Sequence, residues 1–138
     1  MKIAINDSVK LNDVMRQFHK QFPYLKIEFF SKPHKIADLS RKNYMLLHNK
    51  SVGECRDIHQ EGIIEATGHE KVWELEQEFQ KLGLPAQVFR LMGNNWIETI
   101  QTDWWTIDEQ NEKGREFSMS EYPELFHHEM DDQEYHNV

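Results

Sequence analysis

The chain has few of the residues that several protein classes require. Its single cysteine, Cys55, excludes an internal disulfide and any zinc site built from several cysteines. The six glycines form no phosphate-binding pattern, and no His-Glu-x-x-His, Gly-x-Ser-x-Gly or calcium-loop pattern occurs. We therefore expect a chain without a cofactor.

Long apolar runs are also missing. No stretch approaches the roughly 18 apolar residues that a membrane span needs. The opening residues MKIAINDSVK lack the basic and apolar regions of a secretory signal. Together with the single cysteine, these features favour a cytoplasmic protein that does not bind membranes.

Positive charge is scarce in the second part of the chain. Residues 1–60 contain eleven Lys or Arg and six Asp or Glu, whereas residues 61–138 contain five and eighteen. This polarity is typical of head-to-tail self-association, of an acidic part that folds over a basic part, or of a basic binding face. Two ordinary solvated surfaces are an equally weighted alternative, since charge says nothing direct about fold.

Hydrophobic periodicity divides the first thirty residues into a strand, a helix and a strand. Residues 2–6 alternate between polar and apolar, and residues 11–22 carry one apolar stripe at helical spacing. Residues 25–29 alternate again, with Lys26 and Glu28 between apolar neighbours, which predicts a strand buried on one face. The basic segment 31–50 that follows fits a strand, a helical turn or a loop.

Three Ser/Thr-x-x-Glu sequences predict the starts of three later helices, because this pattern satisfies N–H groups at a helix N-terminus. They begin at Ser51, Thr67 and Thr106. The first helix is expected over residues 52–58, and the other two are expected to end at Gly83 and near Gly114, since glycine is favoured as a C-terminal cap.

The remaining periodic segments predict three more strands. Residues 62–66 contain the adjacent Ile63 and Ile64, which indicates a strand covered on both faces. Residues 87–92 and 96–101 read as a hairpin, because Gly-Asn-Asn between them tolerates the positive φ angles of a tight turn.

This order of elements predicts an α+β fold. We expect a two-layer sandwich in which a mixed sheet of four to five strands carries helices on one face, and the ferredoxin-like arrangement is the nearest relative. Residues 1–114 form one domain in this interpretation. Residues 115–138 contain seven acids and few aliphatic residues, which predicts an acidic tail that is mobile or loosely docked.

Three stretches carry a resemblance to known proteins. These are FPYLKIEFFSKPH, VGECRDIH and QVFRLMGNNWIETIQTDWWTIDEQNEKG. They resemble a family of small bacterial proteins whose function is uncharacterised, over residues 1 to about 114. The resemblance implies no activity, substrate or binding residue, so no function can be carried over from it.

Cys55 and His59 are candidates for a thiol-dependent enzyme. They are four residues apart in an expected helix, and an imidazole beside a thiol can lower its pKa and produce a nucleophile. This spacing is frequent by chance, however, and a lone cysteine is more often a small buried apolar residue. Catalysis by this pair therefore ranks third among the functional interpretations, after an interaction domain and the binding of nucleic acid.

The acidic tail contains side chains that can bind metals: His127, His128, Asp131, Asp132 and His136. Imidazole and carboxylate groups suit zinc or nickel when they are held in fixed geometry. A mobile tail does not fix their geometry, so weak adventitious uptake is the main expectation.

The basic segment 32–56 is the candidate for binding single-stranded nucleic acid. Its cations are Lys32, Lys35, Arg41, Lys42, Lys50 and Arg56. Cations can neutralise phosphates while neighbouring aromatic residues stack on bases. The sequence pI of about 5.4 weighs against this function, because nucleic-acid-binding domains are usually basic overall.

Large aromatic residues suggest an interaction surface on the sheet or the hairpin. They are Phe30, Phe89, Trp96, Trp104 and Trp105. Such residues usually form core, but an open sheet face that carries them requires a cover. A non-enzymatic interaction or regulatory domain that forms a homo-oligomer, most simply a dimer, is the leading hypothesis; a different protein partner is a further possibility.

Overall fold

The computed structural model of the chain describes residues 1–33 and 44–121. These residues form five strands and four α-helices. The strands are β1 (Lys2–Ile5), β2 (Leu25–Phe29), β3 (Gly62–Glu65), β4 (Ala86–Met92) and β5 (Asn95–Glu98). The helices are α1 (Leu11–Gln21), α2 (Val52–Cys55), α3 (Val72–Lys81) and α4 (Ile107–Glu121), and a 3-10 turn covers Ile100–Thr102.

The strands form two antiparallel sheets. β1 pairs with β3, and β2, β4 and β5 form a three-stranded sheet in that order. The expected α+β class and two-layer arrangement are confirmed, but the strands do not join into one mixed sheet. The strands on either side of α1 belong to different sheets, because β2 pairs with β4, with Leu25 opposite Arg90.

The helices pack on one face of the three-stranded sheet, as expected. On this helical face Leu25, Ile27 and Phe29 of β2 lie beside Ala86 and Val88 of β4, all within the hydrophobic core. The core continues through buried residues of the helices, among them Phe18, Leu75, Phe79 and Ile107. Burial of these apolar side chains is the main stabilising contribution to the fold.

The opposite face of the three-stranded sheet is buried as well, which corrects the prediction for β2. Lys26 and Glu28 point away from the helices, yet both are completely buried. Alternation had indicated that they face solvent. Residues 44–46 run beside the end of β2, where Met45 bridges Phe30 and the Leu46 N–H donates to the Phe29 carbonyl over 2.8 Å. This part of the unassigned basic segment is therefore neither a full strand nor a long helix.

The small sheet has one buried and one exposed face. Ile3, Ile5 and Ile64 point into the core, whereas Ile63 is 66% exposed. The prediction that β3 is covered on both faces is therefore wrong. Its register with β1 places Ile63 opposite the exposed Ala4, on the outer side.

The helix boundaries differ from the expected ones at three places. α2 ends at Cys55 rather than at residue 58, and α3 begins at Val72, since the Thr67–Glu70 bonds close the turn before the helix. α4 continues past Gly114 to Glu121, so the first residues of the expected tail belong to a helix. Gly114 packs against Tyr24 and does not cap the helix. The capping boxes at Ser51 and Thr106 are confirmed.

Candidate functional site

The five aromatic residues of the expected interaction surface divide into two groups. Phe30 and Phe89 are 1% and 5% exposed, so the chain itself covers them. Trp96 and Trp105 are half-buried, and Trp104 is 62% exposed. Only the tryptophans therefore reach the surface, and they lie on the hairpin and the segment that follows it.

Trp96 lies on β5, the outer strand of the three-stranded sheet. The backbone N–H of Thr99 donates to the Val88 carbonyl, so Val88 and Thr99 are a hydrogen-bonded pair. Bonded and non-bonded pairs alternate along antiparallel strands, which makes Trp96 and Glu98 non-bonded positions opposite β4. Their backbone groups point outward, where no further strand lies within residues 1–33 and 44–121.

A tight turn precedes β5 and limits the length of this strand. Gly93 has a φ of +65°, a value that glycine adopts without steric cost. The two-residue loop of Gly93 and Asn94 joins Met92 to Asn95, and the strands remain paired up to the turn. Beyond Glu98 the chain leaves the sheet in the 3-10 turn, so β5 is only four residues long.

Trp105 connects the exposed Trp104 to a buried cation. Its ring is T-shaped against Trp104, with 6.1 Å between centroids, and lies 5.9 Å from the guanidinium carbon of Arg90. Arg90 donates to Gln110 Oε1 over 2.9 Å. Gln110 is held in turn by Thr102, whose carbonyl and hydroxyl oxygens both accept from it at 2.7 Å. Burial lowers the pKa of Arg90.

A buried charge cluster occupies the opposite face of the same sheet. Lys26 Nζ lies 3.5 Å from Glu28 Oε2 and 5.2 Å from the ring centroid of Trp96. Glu28 Oε1 lies 2.7 Å from His48 Nε2. The sequence does not indicate this cluster, because Lys and Glu at alternating strand positions usually face solvent. Both charged residues of β2 are completely buried, so the cluster links the segment around residue 48 to the sheet.

Cys55 and His59 do not share a helix, because α2 ends at Cys55. Burial raises the pKa of the Cys55 thiol, which opposes the thiolate form that a nucleophile needs. His59 Nδ1 lies 2.9 Å from Asp7 Oδ2, and Asp7 Oδ1 accepts two hydrogen bonds from Arg56. The imidazole therefore belongs to a polar cluster at the surface, centred on Asp7.

The expected nucleic-acid residues are only partly assembled on the surface. Lys32 is exposed and lies over the Tyr44 ring at 4.6 Å, and Lys50 is also exposed. Arg56 is buried and donates to two backbone carbonyls as well as to Asp7, so it has a structural role. Lys35, Arg41 and Lys42 lie outside the described residues.

Metal binding has no support in the part of the chain that the structure describes. Among those residues no three His, Cys, Asp or Glu side chains converge to hold an ion. The expected tail ligands His127, His128 and His136 lie outside the described residues. None of the helices that the structure describes is long and apolar enough to cross a membrane.

Comparisons with known proteins identify no relative. No protein family, no curated protein and no solved structure matches this chain. The fold and the surfaces described above are therefore the basis for a functional hypothesis. They define the class, an α+β domain in which, among residues 1–33 and 44–121, the outer edge of β5 is unpaired and the exposed Trp104 packs on Trp105.

Proposed function

We propose that this chain is an interaction domain that forms a two-fold homodimer through the free edge of β5. The observation that carries the proposal is the outward direction of the Trp96 and Glu98 backbone groups. The exposed Trp104 packs on Trp105, whose ring lies beside Arg90 of the neighbouring strand. An exposed strand edge presents unpaired donors and acceptors, and it pairs readily with another strand.

The sequence of β5 favours one register for this pairing. If Ile97 lies opposite Ile97 of the second copy, Trp96 lies opposite Glu98 of that copy. The outward backbone groups of these two residues then form hydrogen bonds in both directions. This register also keeps the two Glu98 carboxylates from facing each other directly, and like charges directly opposite destabilise a strand pair.

Partial burial of the side chains at this edge supports the same interface. Ile97 and Trp96 point to opposite faces and are each half-buried in the single chain. Burial raises the pKa of Glu98, so this carboxyl group is already partly desolvated in the single chain. A second β5 would extend the sheet from three strands to six and cover more of both faces.

Light scattering after size-exclusion chromatography over a dilution series tests the proposal. We expect the full chain to shift from dimer to monomer on dilution, and Glu98→Pro to be monomeric throughout. Proline removes the outward N–H at this position without breaking a bond to β4. A wild-type chain that is strictly monomeric at every concentration would exclude self-association.

Two equally exposed apolar residues provide a matched comparison. Trp104 is 62% exposed in the segment that follows the hairpin, and Leu47 is 65% exposed in the segment that follows Tyr44. We expect Trp104→Ser to weaken the dimer and Leu47→Ser to leave it unchanged. A dimer that survives Glu98→Pro and Trp104→Ser but is lost in Leu47→Ser would assign the interface to a different surface.

A further inference from the structure

Arg90 occupies a position where a charged residue needs compensation. It lies in the middle of β4 on the helical face, two residues from Val88 of the core, and is only 9% exposed. Taking a guanidinium out of water is unfavourable unless other groups replace the lost hydration. The question is therefore which groups around Arg90 replace the hydration that its guanidinium loses.

Most donors of Arg90 are unused within the described residues. A guanidinium has five N–H groups. One of them binds Gln110 Oε1, and the buried Nε meets no acceptor in the described part of the chain. No ion pair with a carboxylate is formed there either. A neutral amide is thus the hydrogen-bonding partner of a nearly buried positive charge.

Arg56 shows how this chain stabilises a buried arginine that has a structural role. Its Nε and Nη2 both donate to Asp7 Oδ1, at 3.1 and 2.9 Å. Its Nη1 donates to the carbonyl oxygens of Gln60 and Leu82. Within the part of the chain that the structure describes, Arg56 therefore has a counter-ion and four hydrogen bonds, whereas Arg90 has one hydrogen bond to an uncharged group.

The contacts around Arg90 lead from the buried guanidinium to the surface. Thr102 fixes Gln110, which holds one edge of the guanidinium in place. The half-buried Trp105 lies against the guanidinium, and Trp105 in turn contacts the exposed Trp104. Ile97, opposite Arg90 on β5, is also half-buried and lies on the same face.

We propose that Arg90 binds the carboxylate of a small organic acid whose apolar part contacts Trp105 and Ile97. A guanidinium binds a carboxylate through two parallel hydrogen bonds, which would use the donors left free. A singly charged anion fits best, because Arg115, the arginine that α4 carries, is already paired with Glu112. The net charge of −8 also disfavours a dianion such as phosphate.

Nitrogen NMR of the arginine side chains tests this site in the full chain. We expect sodium butyrate to shift the Arg90 Nε–H resonance in a saturable way, at constant ionic strength. Butyramide has the same shape without the charge and should leave the resonance in place. A shift caused equally by butyramide, or no saturable shift with butyrate, would overturn the proposal. A stronger response to inorganic phosphate would contradict the choice of a monoanion.

Variants of Arg90 and Arg115 distinguish a binding role of Arg90 from a purely structural one. Arg90→Met removes the charge at similar length, and we expect butyrate affinity to fall at least about ten-fold, the effect of one charge-assisted hydrogen bond. Arg115→Met removes an exposed, paired arginine and should retain the affinity. If Arg90→Met does not fold, butyrate titrations of the wild type and of Gln110→Ala decide whether Arg90 binds the carboxylate. Unchanged affinity in a folded Arg90→Met chain would exclude the site.

The carboxylate site and the proposed dimer can be tested separately. Glu98→Pro is designed to remove association and leaves Arg90 and Trp105 intact. We expect this variant to bind butyrate as the wild type does. Loss of butyrate binding in Glu98→Pro, with the fold retained, would contradict a site that is complete within one chain.

Discussion

The Glu76 carboxylate accepts the backbone N–H of Val88 over 2.8 Å, which joins α3 to the central strand of the three-stranded sheet. Val88 forms a pair with Thr99, but Glu76 Oε2 takes the position of acceptor for the Val88 N–H at the end of β5. The Thr99 hydroxyl donates to the Val88 carbonyl over 3.0 Å. Two side chains thus complete the ladder where the chain turns away.

The pH dependence of stability should reflect Glu76. Burial, with a smaller contribution from the nearby Asp103 charge, raises the pKa of Glu76 to about 8 from its ordinary value of 4.5. The folded chain then holds this proton more tightly than the unfolded chain does. The associated stability is fully present below about pH 4.5 and is lost as the pH rises through about 8, by up to about 5 kcal/mol.

Glu76→Gln provides the control for this effect. Glutamine stays neutral, and its side-chain oxygen can still accept from Val88. We expect urea unfolding between about pH 6 and about pH 9 to show a steep loss of stability in the wild type and a shallower loss in the variant. Parallel declines in the two proteins would contradict the assignment to Glu76.

Asp7 should govern stability on the acid side. The hydrogen bond from Arg56 is the largest cause that holds the pKa of Asp7 below its ordinary value. Its contribution is present above the unfolded-state pKa and is lost as the pH falls through the folded-state pKa. We expect Asp7→Asn to lower the urea midpoint at neutral pH and to flatten the acid limb. His59→Ala, which removes an exposed contact of the same carboxylate, should have a smaller effect.

Gly114 should be intolerant of substitution although it lies inside a helix. A Cβ at this position would lie 2.8 Å from the Tyr24 Cβ and 3.1 Å from the Tyr24 carbonyl oxygen. Alanine gains about 1 kcal/mol of helix propensity, but the clash should outweigh it and leave a net loss of about 1–3 kcal/mol. Lys113→Ala, beside it in α4, should change the unfolding free energy by less than about 0.5 kcal/mol. A more stable Gly114→Ala chain would show that α4 packs less closely.

The two adjacent isoleucines of β3 should respond differently to truncation. Ile64→Ala removes a core side chain that is 1% exposed, with an expected loss of about 2–5 kcal/mol. Ile63→Ala changes a side chain that is 66% exposed and should cost less than about 1 kcal/mol. Equal losses in denaturant unfolding would indicate a different register between β1 and β3.

Local patterns predicted most of the secondary structure. The apolar stripe of α1, the hairpin with its turn at Gly93 and the capping boxes at Ser51 and Thr106 were all recognisable, because each depends on residues close in sequence. The end of α4 was not, since Gly114 serves close packing against Tyr24 and does not terminate the helix.

Strand pairing and the buried polar groups could not be predicted in the same way. Alternation indicates a strand but does not name its partner, so the division into two sheets depends on contacts such as that between Leu25 and Arg90. Lys26 and Glu28 followed the pattern of solvent-facing residues, and only the completed fold buries them. Their proximity to His48 depends on the path of a segment with no regular periodicity.

The sequence by itself determined the class of this protein. Its periodicities and turn residues specify alternating helices and strands, because these depend on interactions between residues a few positions apart. Tertiary structure alone decided which charges became buried, which strand edge is unpaired among residues 1–33 and 44–121, and why Arg90 donates to a neutral amide. Those features depend on residues far apart in the chain, whose meeting is set by packing of the whole core.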